Sequence, residues 1–189
     1  MSRYLLIRWA GLAGLVSGLL IIAGAAAMTF APPVVSGLFI VTGHILLFFL
    51  LTGAYAAYFS HAGILGLLGY ALATVGNSLF VTFHIMDSVL NSGIESTWGF
   101  NDVDLASPAF PDAVSIAGVV FGLGLLLIAI ASTRINAPNA WAGWLMFVGV
   151  ALNLVLSFLP GELPTVAFTI PPLLLGLGAA SFGWGLRRN

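Results

Sequence analysis

Two histidines are the side chains of this sequence best suited to chemistry, because both fall inside long apolar stretches. His44 lies among leucines and phenylalanines, and His84 precedes Asp87 by three residues. Residues three apart share one face of a helix, so Asp87 could orient the imidazole of His84 and raise its basicity. Such a pair is typical of a metal or haem ligand with its supporting carboxylate, or of a proton-transfer pair.

An ordinary structural role competes with the functional one at each histidine. His84 and Asp87 could lie at a helix end near lipid headgroups, and His44 could simply bond to a neighbouring carbonyl or hydroxyl. His61 follows Ser60 in a short connection and is expected to be a solvent-exposed turn residue. On adjacent antiparallel helices, His44 and His84 could also bind one haem b from opposite sides, although their predicted depths differ.

The polar residues within the apolar stretches define a candidate binding site. If these stretches cross a membrane, His44 lies roughly 16 Å below the outer surface, at 1.5 Å of rise per helical residue. Most of the polar set then falls in the outer half of the membrane, which indicates a pocket that opens outward or sideways into the outer leaflet. The predicted site residues are His44, Asn77, His84, Asp87, Asn153, Ser157 and Thr169.

The composition indicates that these residues stand on membrane-spanning helices. Of the 189 residues, 60% are hydrophobic and 6% are charged, whereas a soluble domain carries roughly 25% charged residues. Roughly 20 apolar residues cross the hydrocarbon core as a helix. The sequence therefore predicts an all-α, polytopic integral membrane protein, a single domain (1–189) built as a bundle of six transmembrane helices. The predicted spans are residues 5–27, 34–58, 63–87, 113–132, 140–159 and 165–186.

The charges set the predicted orientation. With the N-terminus in the cytoplasm, all five arginines fall at the inner ends of spans, as the positive-inside rule requires. All six acidic residues then fall at or beyond the outer ends. We therefore expect both termini in the cytoplasm and an acidic loop, 88–112, outside. Arg3, Arg8 and residues 25–27 also resemble a signal peptide, but the apolar stretch between them is longer than a usual signal core.

Missing residue types exclude several classes of function. The chain has no lysine, which excludes a retinal Schiff base, a pyridoxal phosphate enzyme and a P-loop. It has no cysteine, which excludes disulfides, thiol redox chemistry and iron–sulfur clusters. A net charge of −1 makes nucleic acid an unsuitable partner. No carboxylate lies in the middle of a span, which disfavours a proton-driven pump.

Glycine accounts for 23 residues, several of them four apart. Gly14 with Gly18, and Gly118 with Gly122, would let helix backbones approach closely. We expect these glycines to pack helices of one chain together. A docking face for another membrane subunit or for a second copy of the chain is the alternative, and membrane lipid is the other expected partner.

The C-terminal third carries a further pattern. A break around Asn136 is followed by NAWAGWLMFVGVALNLVLSFLPG and then by IPPLLLGLGAASFGWGLRR. This tail, together with a histidine in the second span, resembles small six-span bacterial membrane proteins of unknown function. The resemblance implies a location in the bacterial plasma (inner) membrane and transfers no activity.

The leading hypothesis is a non-catalytic membrane protein. It would be an accessory subunit of a membrane complex, or a binder of a lipophilic ligand (lipid, quinone or pigment) in the outer leaflet. One alternative is an electron-transfer protein with haem b between His44 and His84. Another is a small transporter or channel, which would need a polar path from His44 and Asn153 to the cytoplasm. A lipid-acting enzyme using His84 and Asp87 is a further alternative, although no nucleophile accompanies them.

Overall fold

Six long helices account for most of the described chain. The computed structural model describes residues 3–90, 109–137, 139–159 and 164–188. Each of the six helices found there is long and apolar enough to cross a membrane, which confirms the predicted all-α bundle of six membrane-spanning helices. They are α1 (Arg3–Ala27), α2 (Pro33–Ala57), α3 (Gly63–Leu90), α4 (Ala109–Arg134), α5 (Ala140–Phe158) and α6 (Thr165–Arg188).

The helix bounds differ most from the sequence-based spans around the predicted outer loop 88–112. Helix α3 continues to Leu90, three residues beyond the predicted end, and α4 begins at Ala109, four residues before the predicted start. Pro111 therefore stands in the first turn of α4, where a missing N–H costs little because that N–H has no acceptor within the helix. The rest of the predicted loop, residues 91–108, lies outside the described residues.

The six helices form a ring in which every helix packs against its neighbours in sequence, and α1 closes the ring against α6. Successive helices run in opposite directions, so the ring has two distinct ends. All five arginines lie at the end where α1 begins and α6 ends, which we call the arginine end. The opposite end, where α2, α4 and α6 begin, is called the cavity end.

Apolar side chains fill the interior of the ring towards the arginine end. The largest of them are at most 2% exposed, and they come from α2, α4, α5, α6 and the 3₁₀ turn Phe59–His61. Among the described residues, these apolar side chains occupy the part of the interior where a transporter would need a polar path. His61 is exposed in its turn, as expected. The filling side chains are Leu47, Leu50, Phe59, Leu125, Ile128, Met146, Phe182 and Leu186.

Glycines set the distances between the helix backbones. Gly18 on α1 faces Gly176 on α6 so closely that a Cβ on Gly18 would lie 2.3 Å from the Gly176 carbonyl oxygen. Gly14, one turn earlier, lies against Gly183 of α6, whose Cα would be 3.0 Å from a Cβ on Gly14. These contacts are within one chain, as predicted for this motif. They let α1 and α6 touch through their backbones and so close the ring.

Candidate functional site

A cavity of about 180 Å³ lies inside the ring at the cavity end. Residues from α2 to α6, and Met28 just after α1, form its wall. The polar side chains in the wall are His44, His84 and Asn153. The rest of the wall is apolar and includes Ile40, Phe80, Phe121, Val150, Phe168 and Leu175.

His44 and Asn77 form a reciprocal pair of hydrogen bonds between α2 and α3. The His44 Nδ1 lies 2.6 Å from the Asn77 side-chain oxygen, and the Asn77 amide nitrogen donates to the His44 carbonyl oxygen at 2.9 Å. His44 is 2% exposed and Asn77 is fully buried. Polar groups inside a membrane bundle need such partners. The pair therefore fixes the His44 ring at one place and one orientation on the cavity wall.

This pair also fixes which nitrogen of His44 carries the proton. The Asn77 amide nitrogen is used by the His44 carbonyl, so the atom that faces Nδ1 is the amide oxygen, which only accepts. The Nδ1 of His44 must therefore be the donor. In a neutral imidazole the other nitrogen, Nε2, is then a hydrogen-bond acceptor.

Phe80 lies between the two histidines. Its ring centroid is 4.6 Å from that of His44 on α2 and 4.4 Å from that of His84 on α3, so the Phe80 ring separates the two imidazoles. A haem bound by both histidines would need its porphyrin between the two imidazoles, in the space that the Phe80 ring fills. The arrangement of His44 and His84 therefore does not fit the haem b hypothesis.

The structure separates the remaining predicted site residues. Asn153 lines the cavity. Ser157 is exposed, and its hydroxyl donates to the Asn153 carbonyl oxygen at 2.8 Å. Thr169 is buried, and its hydroxyl donates to the Val166 carbonyl oxygen at 2.8 Å. Neither residue lines the cavity. Each hydroxyl bonds to the preceding turn of its own helix, as is common for Ser and Thr.

Asp87 is described by its backbone alone. Its backbone belongs to α3, but its side chain lies outside the described residues. The predicted pairing of His84 with Asp87 therefore stays a prediction. In the described part of the chain, no group of three His, Cys, Asp or Glu side chains could hold a metal ion.

Two prolines of the cavity wall, Pro171 and Pro172, lie inside α6 as its seventh and eighth residues. Since proline has no N–H, the carbonyls of Ala167 and Phe168 receive no helical hydrogen bond from them. This proline pair is a sequence signal for a cavity wall, because irregular helical backbone in membranes is tolerated where it is buried in protein or borders a cavity.

Replacing Asn77 by leucine is expected to lower the free energy of unfolding by about 1–2 kcal/mol. The substitution keeps a side chain of similar size but leaves the buried Nδ1 of His44 without its acceptor. Reversible unfolding in mixed micelles would measure the loss. Ser78→Ala is the matched control, because the neighbouring Ser78 is exposed and bonds only to the Thr74 carbonyl of its own helix. Equal stability of N77L and S78A would contradict the structural role of the pair.

The comparisons with known proteins add no assignment to this geometry. No protein-family model, no curated protein and no solved structure matches the chain. The resemblance of the C-terminal tail to small bacterial membrane proteins therefore stays a prediction.

Proposed function

We propose that this membrane protein binds a lipophilic ligand, holding the ligand's polar end in the cavity between the six helices. One observation carries the proposal: the apolar interior opens into a cavity beside the buried His44–Asn77 pair. An apolar pocket with a few fixed polar groups is the usual form of a small-molecule site. A pair that served packing alone would not need space beside it.

The size of the cavity limits what it can hold. Its volume of about 180 Å³ is below the roughly 300–1,000 Å³ of pockets that enclose a drug-sized molecule. The cavity therefore accommodates a ring or a small polar head, with any long chain outside it. Three aromatic side chains of the wall, Phe80, Phe121 and Phe168, offer flat apolar surfaces on which such a ring can pack.

Binding explains the wall better than catalysis does. The described wall has histidines at 44 and 84 but no serine, threonine, cysteine or carboxylate beside them. Covalent catalysis needs a nucleophile within hydrogen-bond reach of its base. The protein would act as a carrier, sensor or accessory subunit that recognises its ligand without changing it.

We infer that the cavity faces the outer leaflet of the plasma membrane, with both termini in the cytoplasm. The arginine end holds all five arginines of the chain, which has no lysine, and positively charged residues flank the cytoplasmic ends of membrane helices. The cavity end would then lie in the outer half of the membrane. A ligand would enter from the outer leaflet or from outside the cell.

This orientation can be tested because the chain has no native cysteine. Phe30→Cys places a thiol at the cavity end, where Phe30 is 80% exposed, and His61→Cys places one in the exposed turn at the arginine end. A membrane-impermeant maleimide applied to intact cells is expected to label F30C, and to label H61C only after the cells are permeabilised. The reverse pattern would invert the proposed orientation.

The proposed function is tested by purifying the wild-type protein in a mild detergent. Native mass spectrometry is expected to show a fraction of the protein with one small molecule bound, and organic extraction should release that molecule. Incubation with lipid extract of the host membrane should raise the bound fraction. Protein that stays empty after that incubation would contradict the proposal.

A further inference from the structure

The hydrogen-bonding pattern of the cavity wall goes one step further and indicates the chemistry of the ligand's polar end. We propose that the cavity selects a lipophilic compound whose polar end is a hydroxyl group, such as a long-chain alcohol, a phenol or a quinol, over an otherwise equal ether or ketone. This selectivity rests on the proposed function, because it concerns the same cavity.

The first step is the direction of the bonds around His44. The Asn77 amide is held at both of its atoms: its nitrogen donates to the His44 carbonyl at 2.9 Å, and its oxygen accepts from Nδ1 at 2.6 Å. Rotating the amide by half a turn would place its oxygen against the carbonyl oxygen and lose one bond. Asn77 is fully buried, so no bulk water compensates for that loss.

The second step concerns the nitrogen of His44 that is left for a ligand. His44 is part of the cavity wall, and the nitrogen that Asn77 does not use is Nε2. With the proton held on Nδ1, Nε2 has a lone pair and accepts a hydrogen bond. A hydroxyl group can donate to it. An ether or a ketone has only lone pairs to offer, so its oxygen would face the lone pair of Nε2.

Other groups of the wall agree with this preference. Phe168, a wall residue on α6, has a carbonyl to which Pro172 cannot donate. Carbonyl oxygens are also acceptors and add to the demand for a donor. Asn153 carries an amide, which can donate as well as accept. A hydroxyl group is the smallest polar end that can donate to His44 and accept from Asn153.

The experiment compares 4-octylphenol with 4-octylanisole, two probes that differ only in the methyl group that removes the donor. Purified protein in nanodiscs of phosphatidylcholine and phosphatidylglycerol receives each probe at equal mole fraction in the lipid. The shift of the unfolding temperature with mole fraction gives an apparent dissociation constant. The phenol is expected to bind about three- to fifteen-fold more tightly, the range of a hydrogen bond inside a membrane protein.

Three variants test whether His44 is the source of the preference for the phenol. In His44→Phe the two probes are expected to bind equally well, since the acceptor is gone. In Asn77→Leu the preference should shrink, because the ring is free to carry its proton on Nε2. Ser78→Ala, an exposed neighbour bonded to Thr74, should keep the wild-type preference.

The outcomes separate the two proposals. Equal binding of both probes to the wild type would overturn the hydroxyl selectivity and leave binding in the cavity standing. Failure of both probes to bind, together with wild-type protein that purifies empty, would overturn the proposed function itself. A wild-type preference that survives in folded H44F would place the acceptor elsewhere and overturn the role of His44. If H44F does not fold, N77L provides the test. An unchanged preference for the phenol in N77L would also overturn the role of His44.

Discussion

Gly124→Ala is expected to destabilise the protein by about 3 kcal/mol, the largest effect of any single methyl group that we predict. A Cβ at Gly124 of α4 would lie 2.1 Å from the backbone nitrogen of Ala73 and 2.6 Å from its Cα on α3. A backbone cannot move aside as a flexible side chain can, so the two helices would have to separate. Reversible unfolding in mixed micelles measures the change.

The contact between α3 and α4 also positions the site. Gly76, which precedes Asn77, lies against Phe121, and a Cβ there would be 2.3 Å from the Phe121 backbone nitrogen. Separating the helices would therefore displace Asn77 and the cavity wall together. We expect G124A to weaken ligand binding as well as stability.

Gly122→Ala is the matched control on the same helix. A Cβ at Gly122 would have its nearest neighbour, the Val150 Cγ1, at 3.4 Å, which is an ordinary contact. Alanine also has a higher helix propensity than glycine, by about 1 kcal/mol. G122A should therefore be as stable as the wild type or more so. Equal losses in G122A and G124A would show that glycine is needed for some reason other than the close approach of α3 and α4.

Val150→Phe is expected to reduce the amount of retained ligand at least about ten-fold, which corresponds to roughly 1.4 kcal/mol of lost binding free energy. Val150 is 8% exposed and forms part of the cavity wall. A phenyl ring at this position would occupy part of the roughly 180 Å³ that the ligand's polar end requires. Extraction and quantification of bound ligand, per mole of folded protein, gives the result.

Val155→Phe controls for the larger side chain. Val155 lies on the same helix but is 56% exposed, so the added ring would meet lipid. V155F should retain the wild-type amount of ligand. Overpacking a filled site costs about 1–3 kcal/mol, so Leu175→Phe, which fills the cavity from α6, serves if V150F does not fold. Wild-type ligand retention in a folded V150F protein would contradict the cavity as the binding site.

The membrane spans could be read from the sequence because length and hydropathy determine them almost alone. A segment such as 34–58 is continuously apolar over the length that a bilayer requires, and α2 follows it closely as Pro33–Ala57. The start of α4 was harder to predict from the sequence. Proline suggests a loop, so Pro111 favoured a later start, although the first turn of a helix tolerates proline. The ring closure between α1 and α6 was not predicted, since it depends on the facing of Gly18 and Gly176 in space.

The site was only partly predictable. His44 was identified because an ionisable side chain among leucines is unusual, and Asn77 was identified as a buried polar residue. The hydrogen-bonded pairing of His44 with Asn77 was not predicted, because it depends on the rotation of α2 against α3. Ser157 and Thr169 do not line the cavity, and their hydroxyls bond within their own helices; which side of a helix faces the cavity also depends on helix rotation. Phe80 and Val150 carry no chemical signal that distinguishes them from other apolar residues.

The glycine contacts show the same limit. The motif of Gly14 and Gly18 was apparent from its spacing and does join α1 to α6. Gly76 and Gly124 have closer contacts than Gly14, yet no spacing motif singled them out. Which glycine faces a neighbouring backbone depends on helix rotation, and one sequence does not specify that rotation.

Photoaffinity labelling tests the central claim, binding inside the ring, most directly. A long-chain phenol with a diazirine close to its ring would be incubated with the protein in nanodiscs, irradiated, and located by peptide mass spectrometry. We predict cross-links to Phe80 and Phe168, which lie on different helices and both line the cavity, and the loss of these cross-links in the presence of excess 4-octylphenol. Cross-links confined to outward-facing residues such as Leu38 and Val155, unaffected by the competitor, would contradict binding inside the ring.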